Sequence, residues 1–247
     1  MRTTALLLVL TATLAATATA NARTAHPCVK GNEIWFRTTD GVRLVGHRFG
    51  GVRPGAKPTV VLAHMSQGDL CQWEPFARML AAKGVFVFAF DFRGHGFSQG
   101  RPAYGRLGAD VTAAVKVVRG LGARKVSVIG ASLGGIAAVV AAANIAPALD
   151  GVAAVSAPAT IAGRLNAVPA APRVRVPALF VAAADDQNAP YDFAADARRL
   201  YAATASADKK LEIVPGSLHG VFLVAGRPPV SDLLERFSRD PLAAVRT

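Results

Sequence analysis

Three stretches of this 247-residue chain carry side chains whose types and spacing could perform nucleophilic catalysis. Gly130-Ala131-Ser132-Leu133-Gly134 has the G-x-S-x-G spacing, between an apolar run ending at Gly130 and an Ala/Val/Ile-rich stretch from Ser132 to Ile145. A serine at the tip of a tight strand-to-helix turn is held in a strained conformation, and only small residues two before and two after it escape collision. The turn lifts the Ser132 hydroxyl into the open, and the helix that follows offers free N–H groups to a developing negative charge. A serine hydroxyl is a poor nucleophile without a base. Of five histidines, His26 lies in the N-terminal segment and His47 within a predicted hairpin, so both read as surface or structural residues. His219, in Pro215-Gly216-Ser217-Leu218-His219-Gly220, follows directly on the last strand signal, Lys210 to Val214. An acid that orients the imidazole should follow the strand before it, Ala178 to Ala183, which runs into Asp185-Asp186. Adjacent carboxylates point in different directions, so only one of the two can meet the ring.

The elements that must position these groups alternate between strand and helix signals. Ile34 to Thr38 and Val42 to Phe49 flank an Asp40-Gly41 step, a strong hairpin signal. Further strands are predicted at Thr59 to Ala63, Val85 to Asp91, Val126 to Gly130, Gly151 to Ser156, Ala178 to Ala183 and Lys210 to Val214. Helices are predicted at Gln72 to Lys83, Leu107 to Leu121, Ser132 to Ile145, Tyr191 to Thr204 and Ser231 to Arg239. Continuous apolar strands between helices imply a mostly parallel sheet covered on both faces, here eight-stranded with an N-terminal antiparallel hairpin. In such sheets chemistry collects at the carboxyl ends of the strands.

The composition narrows the function class. Half the residues are hydrophobic (52%), which excludes a chain that stays unfolded. The formal charge is +12, yet the basic residues are scattered, with no basic block or interleaved aromatics, so nucleic acid is not an expected partner. At the N-terminus, Met1-Arg2 precede an uncharged apolar run and the small-residue end Ala18-Thr19-Ala20, which reads as a secretory signal peptide over residues 1–20. No later run suggests a stable membrane insertion, and an extracellular or periplasmic location is expected. Residues 21–247 then form a single domain, with a monomer as the simplest expectation. Export places Cys28 and Cys71 where disulfides persist, as a bonded pair or as two buried thiols.

The chain resembles the α/β-hydrolase superfamily over nearly all of residues 21–247. The resemblance rests on His64-Met65-Ser66 after the third strand, Asp91-Phe92-Arg93-Gly94-His95-Gly96-Phe97-Ser98 after the fourth, the Ser132 turn, the Asp185-Asp186 loop and His219. It implies the α/β-hydrolase fold and a catalytic triad of Ser132, Asp186 and His219. The family acid stands four residues before a proline, which selects Asp186 from Pro190 and leaves Asp185 as runner-up. The Asp91 to Ser98 stretch is implied to be mainly structural. The oxyanion hole would use the Leu133 N–H and a second N–H from the loop after the third strand. The family has His-Gly-x there, so Met65 in place of the glycine leaves Ser66 or Met65 as that donor.

The implied activity is that of a serine esterase acting through an acyl-enzyme, with no metal or organic cofactor called for. An acyltransferase or thioesterase would use the same triad, a peptidase is a further possibility, and a non-catalytic binding protein would be expected to lack a triad member. Only 21 residues, Ala157 to Pro177, separate the predicted sixth and seventh strands, too few for a full lid. An open site favours a soluble or exposed ester as substrate. Trp73 and Phe222 are expected to pack in the core.

Overall fold

The structure, a computed structural model, describes residues 26–247 apart from Asn32 and Ala162. The expected signal peptide and its cleavage site at Ala20 lie outside the described residues. The chain runs β1 (Glu33–Arg37), β2 (Arg43–Phe49), β3 (Thr59–Ala63), α1 (Glu74–Ala82), β4 (Phe86–Phe90), α2 (Leu107–Gly120), β5 (Val126–Ala131), α3 (Leu133–Ala142) and β6 (Gly151–Val155). It continues through β7 (Thr160–Ile161), β8 (Leu165–Asn166), β9 (Ala178–Ala183), β10 (Gln187–Asn188), β11 (Tyr191–Asp192), α4 (Phe193–Ala203), β12 (Lys209–Val214), α5 (Gly220–Gly226), α6 (Pro228–Arg239) and α7 (Pro241–Arg246). Eight strands form one sheet in the order β1-β2-β4-β3-β5-β6-β9-β12. β1, β2 and β4 pair antiparallel, and every pairing from β4 to β12 is parallel. This is the α/β-hydrolase fold.

Strand periodicity explains how both faces are covered. Val61 and Ala63 of β3 and Phe86, Phe88 and Phe90 of β4 pack with α2, α3 and α4 on one face. The alternate residues, Val60, Leu62, Val87 and Ala89, pack with α1, α5, α6 and α7 on the other. α6 shows how a helix covers such a face, burying Val230, Leu233, Leu234 and Phe237 at helical spacing. The rims of the sheet are β1, which carries Glu33 and Arg37, and β12, which carries Lys209, Lys210 and Glu212.

Several expectations are corrected. The helix expected from Gln72 is a short 3-10 turn over Leu70–Trp73, capped by the Asp69 carboxylate on the Cys71 N–H, before α1 begins at Glu74. Tyr191 and Asp192 belong to β11, and the Asp192 side chain caps α4. α6 starts at Pro228 rather than Ser231, because the Pro228-Pro229 pair preorganises the first turn without losing an intrahelical hydrogen bond. Trp73 is a core residue and donates its indole N–H to the Ala63 carbonyl at 2.9 Å, but Phe222 on α5 is 62% exposed and packs in no core.

Polar clamps tie the N-terminal segment and the loops to this frame. Cys28 and Cys71 form a disulfide. His26 and Asp91, both fully buried side chains, meet at 2.7 Å, and Asp91 also accepts the Leu70 and Phe97 N–H groups. Burial disfavours the charged His26 ring, but the hydrogen bond and charge of Asp91 outweigh it and raise the His26 pKa. Arg93 forks onto Asp40 and Asp110 at once, as the structural reading of its stretch implied. No described helix is long and apolar enough to cross a membrane.

Candidate active site

The turn at Ser132 is made by the glycines around it. Ser132 has φ 49° and ψ −113°, a region costly for any residue with a side chain. A Cβ at Gly130 would stand 2.1 Å from the Gly134 carbonyl oxygen, and one at Gly134 would stand 2.1 Å from the Ala63 carbonyl oxygen. Neither position admits alanine without moving a backbone. The turn is held from below by the Ser132 N–H, which donates to Val155 O at 2.8 Å. Ser132 stays 8% exposed, and its hydroxyl opens into a cleft of about 500 Å³.

His219, after β12, reaches the same cleft, and Asp186, after β9, stands behind it. The Asp186 carboxylate is buried, and its two oxygens accept from His219 Nδ1 at 3.0 Å each, which leaves Nε2 without a protein partner among the described residues. Asp185 is exposed and its N–H is spent on Gly216 O, so of the two candidates it is Asp186 that meets the imidazole. Phe193 lies against the His219 ring at 4.3 Å between centroids. Ser156, fully buried and itself at φ 48°, accepts the Gly220 N–H at 3.0 Å and so fixes the backbone beside His219. No hydrogen bond joins Ser132 to His219 among the described residues; contacts of this kind commonly tighten only when substrate binds.

The loop after β3 supplies the other half of the site. The Leu133 N–H heads α3 and has no protein acceptor among the described residues. Met65 N–H is already committed, donating to Gln72 Oε1 at 2.9 Å, whereas Ser66 lines the cleft and its N–H has no protein acceptor among the described residues. His64 is wholly buried; its Nδ1 donates to Met65 O at 2.6 Å and its Nε2 accepts from the Phe92 N–H at 3.0 Å. A carbonyl only accepts and a backbone N–H only donates, so these two partners fix the ring as neutral with its proton on Nδ1. Burial pushes the His64 pKa down to about 4, which keeps it so. The Met65 side chain fills the space its family glycine would leave, with Sδ accepting the Val221 N–H at 3.4 Å.

Ser132, Leu133, Ser66, Met65 and His219 thus line one cleft, with Asp186 behind His219. The cleft is also lined by His95 and by residues that belong to no motif in the sequence, among them Tyr104, Ile161 of β7, Asn188 of β10, Tyr191 of β11 and Phe193 at the start of α4. Only their loop positions, next to motif residues, could have suggested them. His95 is the one member of the Asp91 to Ser98 stretch at the cleft; its Nδ1 donates to Arg93 O at 3.0 Å. A hollow of about 560 Å³ between the β1 end and α2, near Lys116 and Asn144, contains none of these residues.

The sheet and its helices have the α/β-hydrolase fold, which solved esterases share, and a family model matches just under half of the chain. A family model described as Serine aminopeptidase, S33 matches residues 54–170, from before β3 through the Ser132 turn to β8. Uncharacterized protein Rv2307c of Mycobacterium tuberculosis is 33% identical over 121 residues, 48% of this chain and 43% of that protein. Uncharacterized protein YfhR of Escherichia coli is 32% identical over 108 residues, 41% of this chain and 38% of that protein. The match spans less than half the length of these relatives. Among solved structures, esterase Pf2001 of Pyrococcus furiosus superimposes with a TM-score of 0.69 at 18% identity, covering 84% of this chain and 90% of that one. Esterase EaEST of Exiguobacterium antarcticum gives 0.67 at 17%, covering 83% and 99%. At such identities the likeness concerns the fold.

Proposed function

We propose that the protein is an exported serine hydrolase that cleaves carboxylic esters through a Ser132, His219 and Asp186 triad. The observation that carries this reading is the Asp186–His219 pair, aimed into the same cleft as a serine at φ 49°. His219 Nε2 takes the Ser132 proton as Oγ bonds to the ester carbonyl carbon. The carbonyl oxygen becomes an oxyanion facing the N–H groups of Leu133 and Ser66. Collapse expels the alcohol, which receives the proton from His219, and water repeats the sequence to release the acid. Asp186 holds the ring in the required tautomer and stabilises its cation.

The lining of the cleft favours an uncharged substrate. Its described residues include no Asp, Glu, Lys or Arg, so an aminopeptidase substrate would bring its ammonium to a wall with no carboxylate to pair it. Where a lid would stand, residues 157–177 form the two-residue strands β7 and β8 and a 3-10 turn, which supports an open site and an exposed ester. Intact protein treated with a fluorophosphonate probe should acquire one adduct, lost in Ser132→Ala. Absence of the adduct, or its persistence in that variant, would sink the reading. Aryl esters from acetyl to long acyl chains should be turned over with a preference for the short ones.

A further inference from the structure

We propose that Gln72 is a positioning residue for the oxyanion hole, aiming the Ser66 N–H through its hold on Met65. The inference rests on the ester-hydrolase reading above. The loop from His64 to Ser66 lacks the glycine its family pattern expects, and something must set its two peptide planes. One plane is held by Gln72 Oε1, which accepts the Met65 N–H at 2.9 Å. The next is held by His64 Nδ1, which donates to Met65 O at 2.6 Å. In a trans peptide the C=O and the following N–H point in opposite directions, so anchoring Met65 O on the buried His64 turns the Ser66 N–H the other way. Ser66 lines the cleft beside Ser132. Were the Met65 N–H freed, the loop would lose one of these two anchors, and the Met65 N–H itself would compete for the oxyanion in a different geometry.

The surroundings of Gln72 are built to hold its amide there. Cys71, the residue before it, is bonded to Cys28, and the Leu70 and Cys71 N–H groups are fixed by Asp91 and Asp69. Gly68 leaves room for the amide: a Cβ on it would stand 2.1 Å from Gln72 Nε2 and 2.3 Å from Cδ. Gly68 shows no left-handed backbone that alanine would resist, so Gly68→Ala displaces the end of a flexible side chain while the fold stays as it is. Two unrelated substitutions therefore act on one hydrogen bond.

The test is steady-state kinetics on a short-chain aryl ester together with fluorophosphonate labelling, on intact protein. Deleting one oxyanion donor lowers kcat about 100- to 1000-fold, and misdirecting one should lower it about 10- to 100-fold. Gln72→Leu and Gly68→Ala should each show that fall in kcat with KM within about threefold of wild type. Gln72→Glu, which keeps an acceptor oxygen, should restore kcat to within about threefold above pH 7. Wild-type kcat in both Gln72→Leu and Gly68→Ala, or a Gln72→Glu enzyme as slow as Gln72→Leu, overturns the role of Gln72. Wild type that neither labels nor hydrolyses overturns the ester-hydrolase reading first, and this one with it.

Discussion

Acidification from about pH 7 to about pH 4 should remove about 3 kcal/mol of stability through a single side chain, His64. The ring has no exposed surface, lies edge-on to Phe92 at 5.0 Å and faces His95 at 5.3 Å between centroids. Burial is the main reason its pKa falls from 6.5 to about 4 in the folded protein; the Met65 carbonyl and Asp91 work against the fall, and His95 adds to it. A proton added at Nε2 would also face the Phe92 N–H, donor against donor. Between the two values the unfolded chain binds the proton and the folded one does not, so stability declines as pH drops through that window. At about 1.4 kcal/mol for each pH unit, the gap amounts to about 3 kcal/mol. That is a large share of the roughly 5–15 kcal/mol that holds a domain together. Urea unfolding of wild type and of the non-titrating His64→Asn, measured across this range, isolates the contribution from that of carboxylates. The wild-type curve should fall about 3 kcal/mol further than that of the variant. Parallel pH profiles, or a His64 ring seen by NMR to titrate near its ordinary value, would refute the reasoning.

Asp186→Asn should reduce kcat about 10⁴-fold by presenting the wrong hydrogen-bond pattern to His219 Nδ1, whereas the exposed Asp185→Asn should stay near wild type; the reverse order in an ester assay would reassign the acid. Reducing the Cys28–Cys71 bond, which spans 43 residues of sequence, should lower stability by about 4 kcal/mol on chain-entropy grounds, and a shift below about 1 kcal/mol in urea would show that the unfolded chain gains little freedom. Arg93→Met should destabilise by about 3–5 kcal/mol, because Asp110 would keep its burial and lose its countercharge. A variant that melts with wild type would place the stabilisation elsewhere.

The long elements of the fold could be read because their residues obey a period. Val126 to Gly130 and Ala178 to Ala183 are apolar at every position because both faces of the sheet are covered. β7, β8, β10 and β11 have two residues each, too few for any period to show, and α5 and α7 are helices of under two turns, too short for a helical period to stand out. Their placement comes from tertiary contacts alone. Phe222 misled because an aromatic in an apolar helix normally faces inward, while α5 already turns Val221, Leu223 and Val224 to the core. Ser132 and His219, singled out by spacing and order along the chain, line one cleft in the structure. Counting back from Pro190 favours Asp186 over Asp185, and in the structure it is the Asp186 carboxylate that is buried and meets His219. Neither Gln72 nor Ser156 belongs to a motif, since each acts on a backbone group brought near it only by folding.

The two rims of the sheet bear on how a strand of another chain would meet this one. Among the described residues β1 pairs only with β2 and β12 only with β9, so each leaves one edge of its backbone without a strand partner there. A second chain docking its own strand there would have to strip water from Lys210 and Glu212 on β12, or from Arg37 on β1. The central ladders join segments far apart in sequence, Thr59 with Val126 among them, and such pairings assemble slowly. Through that interval the charged rims act as a guard against aggregation, most needed before the native state exists.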